Sequence, residues 1–209
     1  MNHVKYNETL LELCHTSLPD LPLAKELLNS GIALNTLFEP PKMYADYEYS
    51  PTTYLAEAAA YGNYELAKLL IAYGADPNLR IGTEPILWGL QYYEYYHPER
   101  NKGRLQAAEL LLQSGVSPIV EWENETLFDY ICFKIFNDDT DAEEFNYLSD
   151  FFLLLIIYGG KTAYCSPQIY IPFDKNNLQQ YRFRIQENKT ANTLYGEIFD
   201  NKGNIIAII

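Results

Sequence analysis

The chain has 209 residues, 48% of them hydrophobic, which is enough for one large or two small folded domains and too apolar for disorder. Fifteen basic against twenty-eight acidic side chains give a net charge of -13, which repels nucleic acid and anionic membrane surfaces and suits either a basic partner or solubility alone. Cys14, Cys132 and Cys165 are odd in number and widely spaced without a CxxC, so they imply neither a disulfide framework nor a zinc site, and a reducing compartment fits.

The opening MNHVKYNETL lacks the apolar core and cleavage site of a secretory leader. The longest apolar run, FFLLLIIY, is too short to span a bilayer, so the expectation is a cytoplasmic chain.

In chain order, the first helical stripe is NETLLELC (7–14), followed by LAKELLNSG (23–31). The pattern returns as PTTYLAEAAA (51–60) with LAKLLIAYG (66–74), as EPILWGLQYY (84–93) with AAELLLQSG (107–115), and as NETLFDYICFKIF (124–136) with FFLLLIIYG (151–159). Each second stripe closes on a glycine, the residue that ends a helix in the left-handed conformation without strain. The two NET segments read as helix starts, their Asn or Thr oxygens available to unpaired backbone N–H groups.

From SPQIYIPF onward the period becomes alternating. YRFRIQ places Tyr181, Phe183 and Ile185 on one face, TLYGEIFD continues, and NKG turns the chain into NIIAII. A small antiparallel sheet of three or four strands is predicted, covering the last apolar helix face or serving as a separate binding module.

Residues 53–78, TYLAEAAAYGNYELAKLLIAYGADPN, closely resemble the ankyrin repeat, with Thr53, Leu55, Ala58, Gly62, Asn63, Glu65, Leu69, Leu70 and GADPN in place. The other three copies are degenerate. TLLE, TYLA and TLFD replace the family's T-P-L-H line, leaving Glu12 and Asp129 as candidates for the hydrogen bonds of the missing histidine. The capping glycines lie 43, 41 and 44 residues apart, longer than the family's 33-residue unit. Three insertions explain the excess: LFEPPKMYADYEYS in the first connecting finger, EYYHPERNKG within the third copy and NDDTDAEEFN within the fourth.

The resemblance implies a mainly α fold, an ankyrin-like solenoid of about four helix-turn-helix repeats (7–36, 51–80, 82–119, 124–162) over residues 1–162, with 163–209 as a C-terminal β cap. The degenerate copies resemble bacterial-type members of the family.

Chemistry is sparse. YGGKT (158–162) resembles the end of a phosphate-binding loop, but Leu155 stands where that motif needs glycine, and a helix precedes it rather than a strand. Cys14 and His15 suggest a thiol and a base, yet Cys14 occupies the small core position filled by Ala58 in the second copy. His3, His15 and His97 form no metal-ligand spacing, and NDDTDAEE lacks the glycine and terminal glutamate of a calcium loop. Neither enzyme chemistry nor a cofactor or metal is expected.

The resemblance carries the partner-binding surface to the fingers and to the outward positions of the first helices. The variable position falls on Leu13, Glu57, Trp88 and Tyr130. The fingers add Tyr44, Tyr47 and Tyr49 among Asp46 and Glu48, and Glu121, Trp122 and Glu123 beside Glu125. Residues 121–150 hold ten acids against Lys134, a net of -9, whereas the stretch from Lys161 onward is net +2.

Aromatics supply contact area and acids steer a basic protein, so the expected function is non-enzymatic protein–protein interaction by a monomer. Trp88 and Tyr130 could instead pack on neighbouring repeats. Tyr92, Tyr93, Tyr95 and Tyr96 read as a partly buried extension of a helix. Small acidic chains of this type resemble immunity or antitoxin proteins that neutralise cationic toxins. The alternative is an enzyme or small-ligand binder using a cleft between the solenoid and the β tail.

Overall fold

Four helices end alike. After α2 (Leu21–Asn29), α4 (Tyr64–Ala72), α6 (Asn101–Gln113) and α8 (Ala142–Ile157), the backbone turns into the left-handed region at Gly31, Gly74, Gly115 and Gly159, with φ between 85° and 94°. At the last three the next N–H reaches back to close the helix: Ala75 to the Leu70 carbonyl at 3.0 Å, Val116 to Leu111 at 3.1 Å and Gly160 to Leu155 at 2.8 Å. The same residue pattern thus produces the same local stop. At YGGKT, that stop and the preceding helix are what the phosphate-loop resemblance becomes.

The computed structural model describes residues 3–16, 18–38, 52–81, 84–91, 97–136, 141–162, 167–169, 180–188 and 193–209. They are mainly helical with small antiparallel sheets and fall into two compact units, Met1–Val116 and Ser117–Ile209.

In the first unit α1 (His3–Cys14) packs on α2 and on α3 (Tyr54–Ala60), α2 packs on α4, and α6 packs on both α3 and α4. Leu10, Leu55, Leu66, Leu70 and Leu111 are fully buried there, which is where the apolar stripes of the short helices go. A helix as short as α3, seven residues, is marginal alone and depends on this packing. Its start is fixed by Thr53, whose hydroxyl accepts from the Ala56 N–H at 3.1 Å. Asn63 ties the second helix pair to the first, donating from one amide to the carbonyls of Leu13, Cys14 and Thr16 at 3.1, 3.3 and 2.6 Å.

Three finger bases stand before the first helices. Phe38 and Thr52 exchange backbone hydrogen bonds of 3.0 and 2.9 Å ahead of α3. β1 (Arg80–Ile81) pairs with β2 (Glu84–Pro85) ahead of α5 (Ile86–Gly89), and β3 (Glu121–Trp122) pairs with β4 (Glu125–Thr126) ahead of α7 (Leu127–Ile135).

In the second unit α7 packs on α8, with the Phe128 and Phe152 rings 4.8 Å apart and both fully buried. Among the described residues the predicted sheet has four strands in the order β5 (Gln168–Ile169), β8 (Ile205–Ile208), β7 (Thr193–Phe199), β6 (Arg182–Asn188), all antiparallel. Gly203, with φ 84°, forms the turn into β8. Phe183 of β6 meets Phe152 edge-on at 5.9 Å and Phe136 at 6.4 Å, so the sheet covers the apolar run of α8.

Several predicted boundaries differ. Helix α1 begins at His3, so Asn7 and Thr9 lie inside it rather than at its start. The first helix of the third copy is only four residues, Ile86–Gly89, and α6 begins at Asn101, within the expected insertion. The fourth insertion is shortened likewise, because Asp141 caps α8 through its bonds to the Glu143 and Glu144 N–H groups and the helix runs sixteen residues. Acids at that N-terminus favour the helix dipole, so part of the acidic run has a structural use.

Candidate partner-binding surface

The resemblance assigned one variable surface position to each first helix, and in the first unit those positions have gone into the fold. Leu13 is buried. Trp88, expected as an exposed aromatic anchor, is 2% exposed, and this corrects the expectation. Ile86, Leu87, Trp88 and Leu90 are all buried, so the fold surrounds this single turn of helix and leaves none of its large side chains to solvent. Glu57, expected as a charge offered to a partner, is engaged within the chain, its carboxylate 2.7 Å from His15 Nε2.

That contact belongs to a stack. The His15 ring lies on Tyr61 at 4.2 Å, and the Arg100 guanidinium lies over Tyr61 at 4.3 Å, joining the ends of α1 and α3 to the turn before α6. Cys14, next to His15, is fully buried with its thiol directed at the Tyr54 carbonyl at 3.5 Å. Burial, and secondly the Glu57 carboxylate, push its pKa upward, away from a reactive thiolate. Tyr54 is likewise pushed up to about 12 by burial and then by Cys14. The pairing of thiol and imidazole in the sequence is a packing arrangement.

The second unit presents a different surface. Trp122 opposes Glu125 and Glu121 opposes Thr126, leaving Glu123 and Asn124 as a two-residue turn with φ of 51° and 68°. Such turns favour Asn, Asp and Gly, so Asn124 fits, while a glutamate at the first position is strained by roughly 1 kcal/mol. Glu121, Glu123 and Glu125 are exposed and Trp122 is half-buried.

The hairpin runs directly into α7, and its base is fixed there. The Thr126 hydroxyl accepts from the Asp129 N–H at 3.0 Å and donates to the Asp129 carboxylate at 2.9 Å. The other Asp129 oxygen accepts from the Thr162 hydroxyl. Asp129 therefore makes side-chain hydrogen bonds at the position of the missing histidine, whereas Glu12 is exposed.

Along α7, Leu127, Phe128, Ile131 and Ile135 face the core. Asp129, Tyr130 and Phe133, spaced three and four apart, share the opposite side. Tyr130 is half-buried with the Lys134 ammonium 6.0 Å from its ring centre, and Lys134 is itself 4.0 Å from the Glu144 carboxylate. Phe133 is 63% exposed. It was not among the residues expected at the site, although its position one helical turn beyond Tyr130 places it on the same face.

Tyr44, Tyr47 and Tyr49 of the first finger, and the tyrosines at 92, 93, 95 and 96, lie outside the described residues. An open furrow of about 380 Å³ in the first unit has Leu18 in its lining together with Asn63, Tyr64, Glu65 and Gln106, and the Asn63 amide is already spent on the three carbonyls. Where the last helices meet the sheet, the Phe183 ring contacts Phe136 and Phe152.

Among the described residues no group of His, Cys, Asp and Glu could hold a metal ion, and no helix is long and apolar enough to cross a membrane. Residues 52–81 match the family model described as an ankyrin repeat, and no curated protein matches the chain.

Proposed function

We propose that this chain, a member of the ankyrin repeat family through residues 52–81, is a non-enzymatic interaction protein that binds a basic protein partner. Ankyrin repeats are generally interaction modules, and that much comes with the family. The finer reading is an ankyrin-like solenoid of four helix pairs over residues 1–162, with 163–209 as its cap. The recurrence of the helix stop at Gly31, Gly74, Gly115 and Gly159 supports it.

One observation carries the choice of partner. The β3–β4 hairpin exposes Glu121, Glu123 and Glu125 around Trp122, with a strained glutamate at its tip where an asparagine would sit more easily. Strain retained at an exposed tip points to a use for the side chain. An aromatic anchor among acids suits a cationic surface, because the acids steer encounter and the ring contributes area. Glu121, Trp122, Glu123 and Tyr130 are the proposed contact residues on the second unit; Tyr44, Tyr47 and Tyr49 of the first finger are proposed separately, from the sequence pattern alone. Glu57 and Trp88 are not proposed, since each is committed to the fold. A monomeric, cytoplasmic protein of the immunity type, neutralising a cationic toxin, is the narrower form of this reading.

The test compares wild type with a Trp122→Ala, Glu123→Lys, Glu125→Lys variant in affinity capture at low salt. A cationic protein held by wild type, lost from the variant and released by salt is the expected result. An identical set of captured proteins on both baits would refute the surface.

A further inference from the structure

We infer that the exposed face of α7 is a seat for a cationic amphipathic segment of the partner, one apolar side chain packing on Phe133 while neighbouring lysines or arginines face the hairpin acids. This rests on the basic-partner reading and specifies what kind of basic chain it holds.

The ring itself is the starting point. Phe133 projects from a helix whose core positions are already filled by Leu127, Phe128, Ile131 and Ile135, so the fold gains little from an aromatic there. An isolated exposed apolar side chain is ordinary. This one shares a side of the helix with the half-buried Tyr130 one turn earlier, so two aromatics are spaced along the same face.

The electrostatic setting then selects the occupant. Asp129 shares the face, and the hairpin leading into it carries Glu121, Glu123 and Glu125. Lys134 sits beside Glu144, which offsets its charge locally. A second copy of the chain would bring the same acids against these, and nucleic acid or an anionic lipid surface would be repelled. A neutral apolar peptide would bring no charge to match the exposed Glu123 and Glu125, and a wholly polar cationic one would leave the ring uncovered. A segment with both cations and an apolar side chain satisfies both features, in the manner of amphipathic helices that insert side chains at three- and four-residue spacing.

The probes are two synthetic peptides of equal length and charge, one of lysine with leucine at helical spacing and one with glutamine replacing each leucine. Each is titrated at low salt into wild type, Phe133→Ser and Glu123→Lys/Glu125→Lys proteins, with far-ultraviolet circular dichroism confirming the fold. Wild type is expected to prefer the leucine peptide by about tenfold, the scale of one apolar contact of moderate strength. Phe133→Ser should erase that preference while leaving the glutamine peptide's affinity unchanged, and the charge reversal should weaken both.

If Phe133→Ser retains the preference, the apolar seat is elsewhere and this inference is overturned while the basic-partner reading stands. If wild type binds the two peptides equally, the inference falls in the same way. If it binds neither, the basic-partner reading fails and takes the inference with it.

Discussion

Replacing Gly103 by alanine sets two effects of opposite sign against each other. In a helix an alanine is ordinarily better than glycine by up to about 1 kcal/mol, so the substitution in α6 should stabilise on propensity alone. The packing says otherwise. A Cβ at 103 would stand 1.9 Å from the Gly62 carbonyl oxygen and 2.7 Å from its carbon, both backbone atoms that no rotamer change can move. The approach is reciprocal, since a Cβ at Gly62 would meet the Arg100 carbonyl oxygen at 2.5 Å, and Gly62 itself has φ 73°.

The α3–α4 turn would have to withdraw by about an ångström, and the adjacent Asn63, with three hydrogen bonds to the end of α1, would withdraw with it. Overpacking of this kind costs about 1–3 kcal/mol and each weakened hydrogen bond about 1 kcal/mol. Less the propensity gain, a net loss of about 2 kcal/mol is expected, equivalent to a fall of about 4–8 °C in Tm for a chain of this size. Urea and thermal denaturation would measure it. Gly89→Ala serves as the control, because its nearest neighbour is the flexible Glu84 carboxylate at 3.3 Å. A Gly103→Ala protein melting at or above wild type would show that the two backbones do not touch.

Two further outcomes can be checked with the same denaturation assays. Asn63→Ala removes one amide from three carbonyls, two of them buried, and should lose about 2–3 kcal/mol, whereas a loss under about 0.5 kcal/mol would mean that these bonds do not join the first two helix pairs. Glu123→Asn relieves a left-handed glutamate at the hairpin tip and should raise stability by about 0.5–1 kcal/mol while weakening a cationic ligand by about two- to fivefold, the range of one exposed charge pair. A variant that melts lower than wild type would show that the tip is not strained.

Features governed by local chemistry were legible in the residues. A glycine after an apolar helical stripe can adopt the left-handed cap wherever it occurs, so all four stops could be placed before any packing was known. The same holds for the Thr126 cap of the second NET segment, though not for the first NET, which lies inside α1, and for the alternating strands around Gly203. Helix lengths were not local. The start of α6 lies inside what reads as an insertion, and Gly103, a residue that argues for a loop, is there because Gly62 leaves no room for a side chain. Period and propensity cannot report that contact across 41 residues.

The candidate surface divides along the same line. Trp88 and Tyr130 hold equivalent places in the repeat, yet every large side chain of α5 is buried, whereas α7 keeps one side for solvent. Glu57 reads as a free acid until His15, 42 residues earlier, is found against it. Periodicity identifies the apolar side of a helix, but which apolar residues remain after the core is full depends on how many neighbours the fold brings to that helix. Phe133 is such a remainder. Its exposure follows from Phe128 and Ile131 having taken the inward positions, which is why the aromatic most accessible on α7 was not the one its place in the repeat pattern nominated.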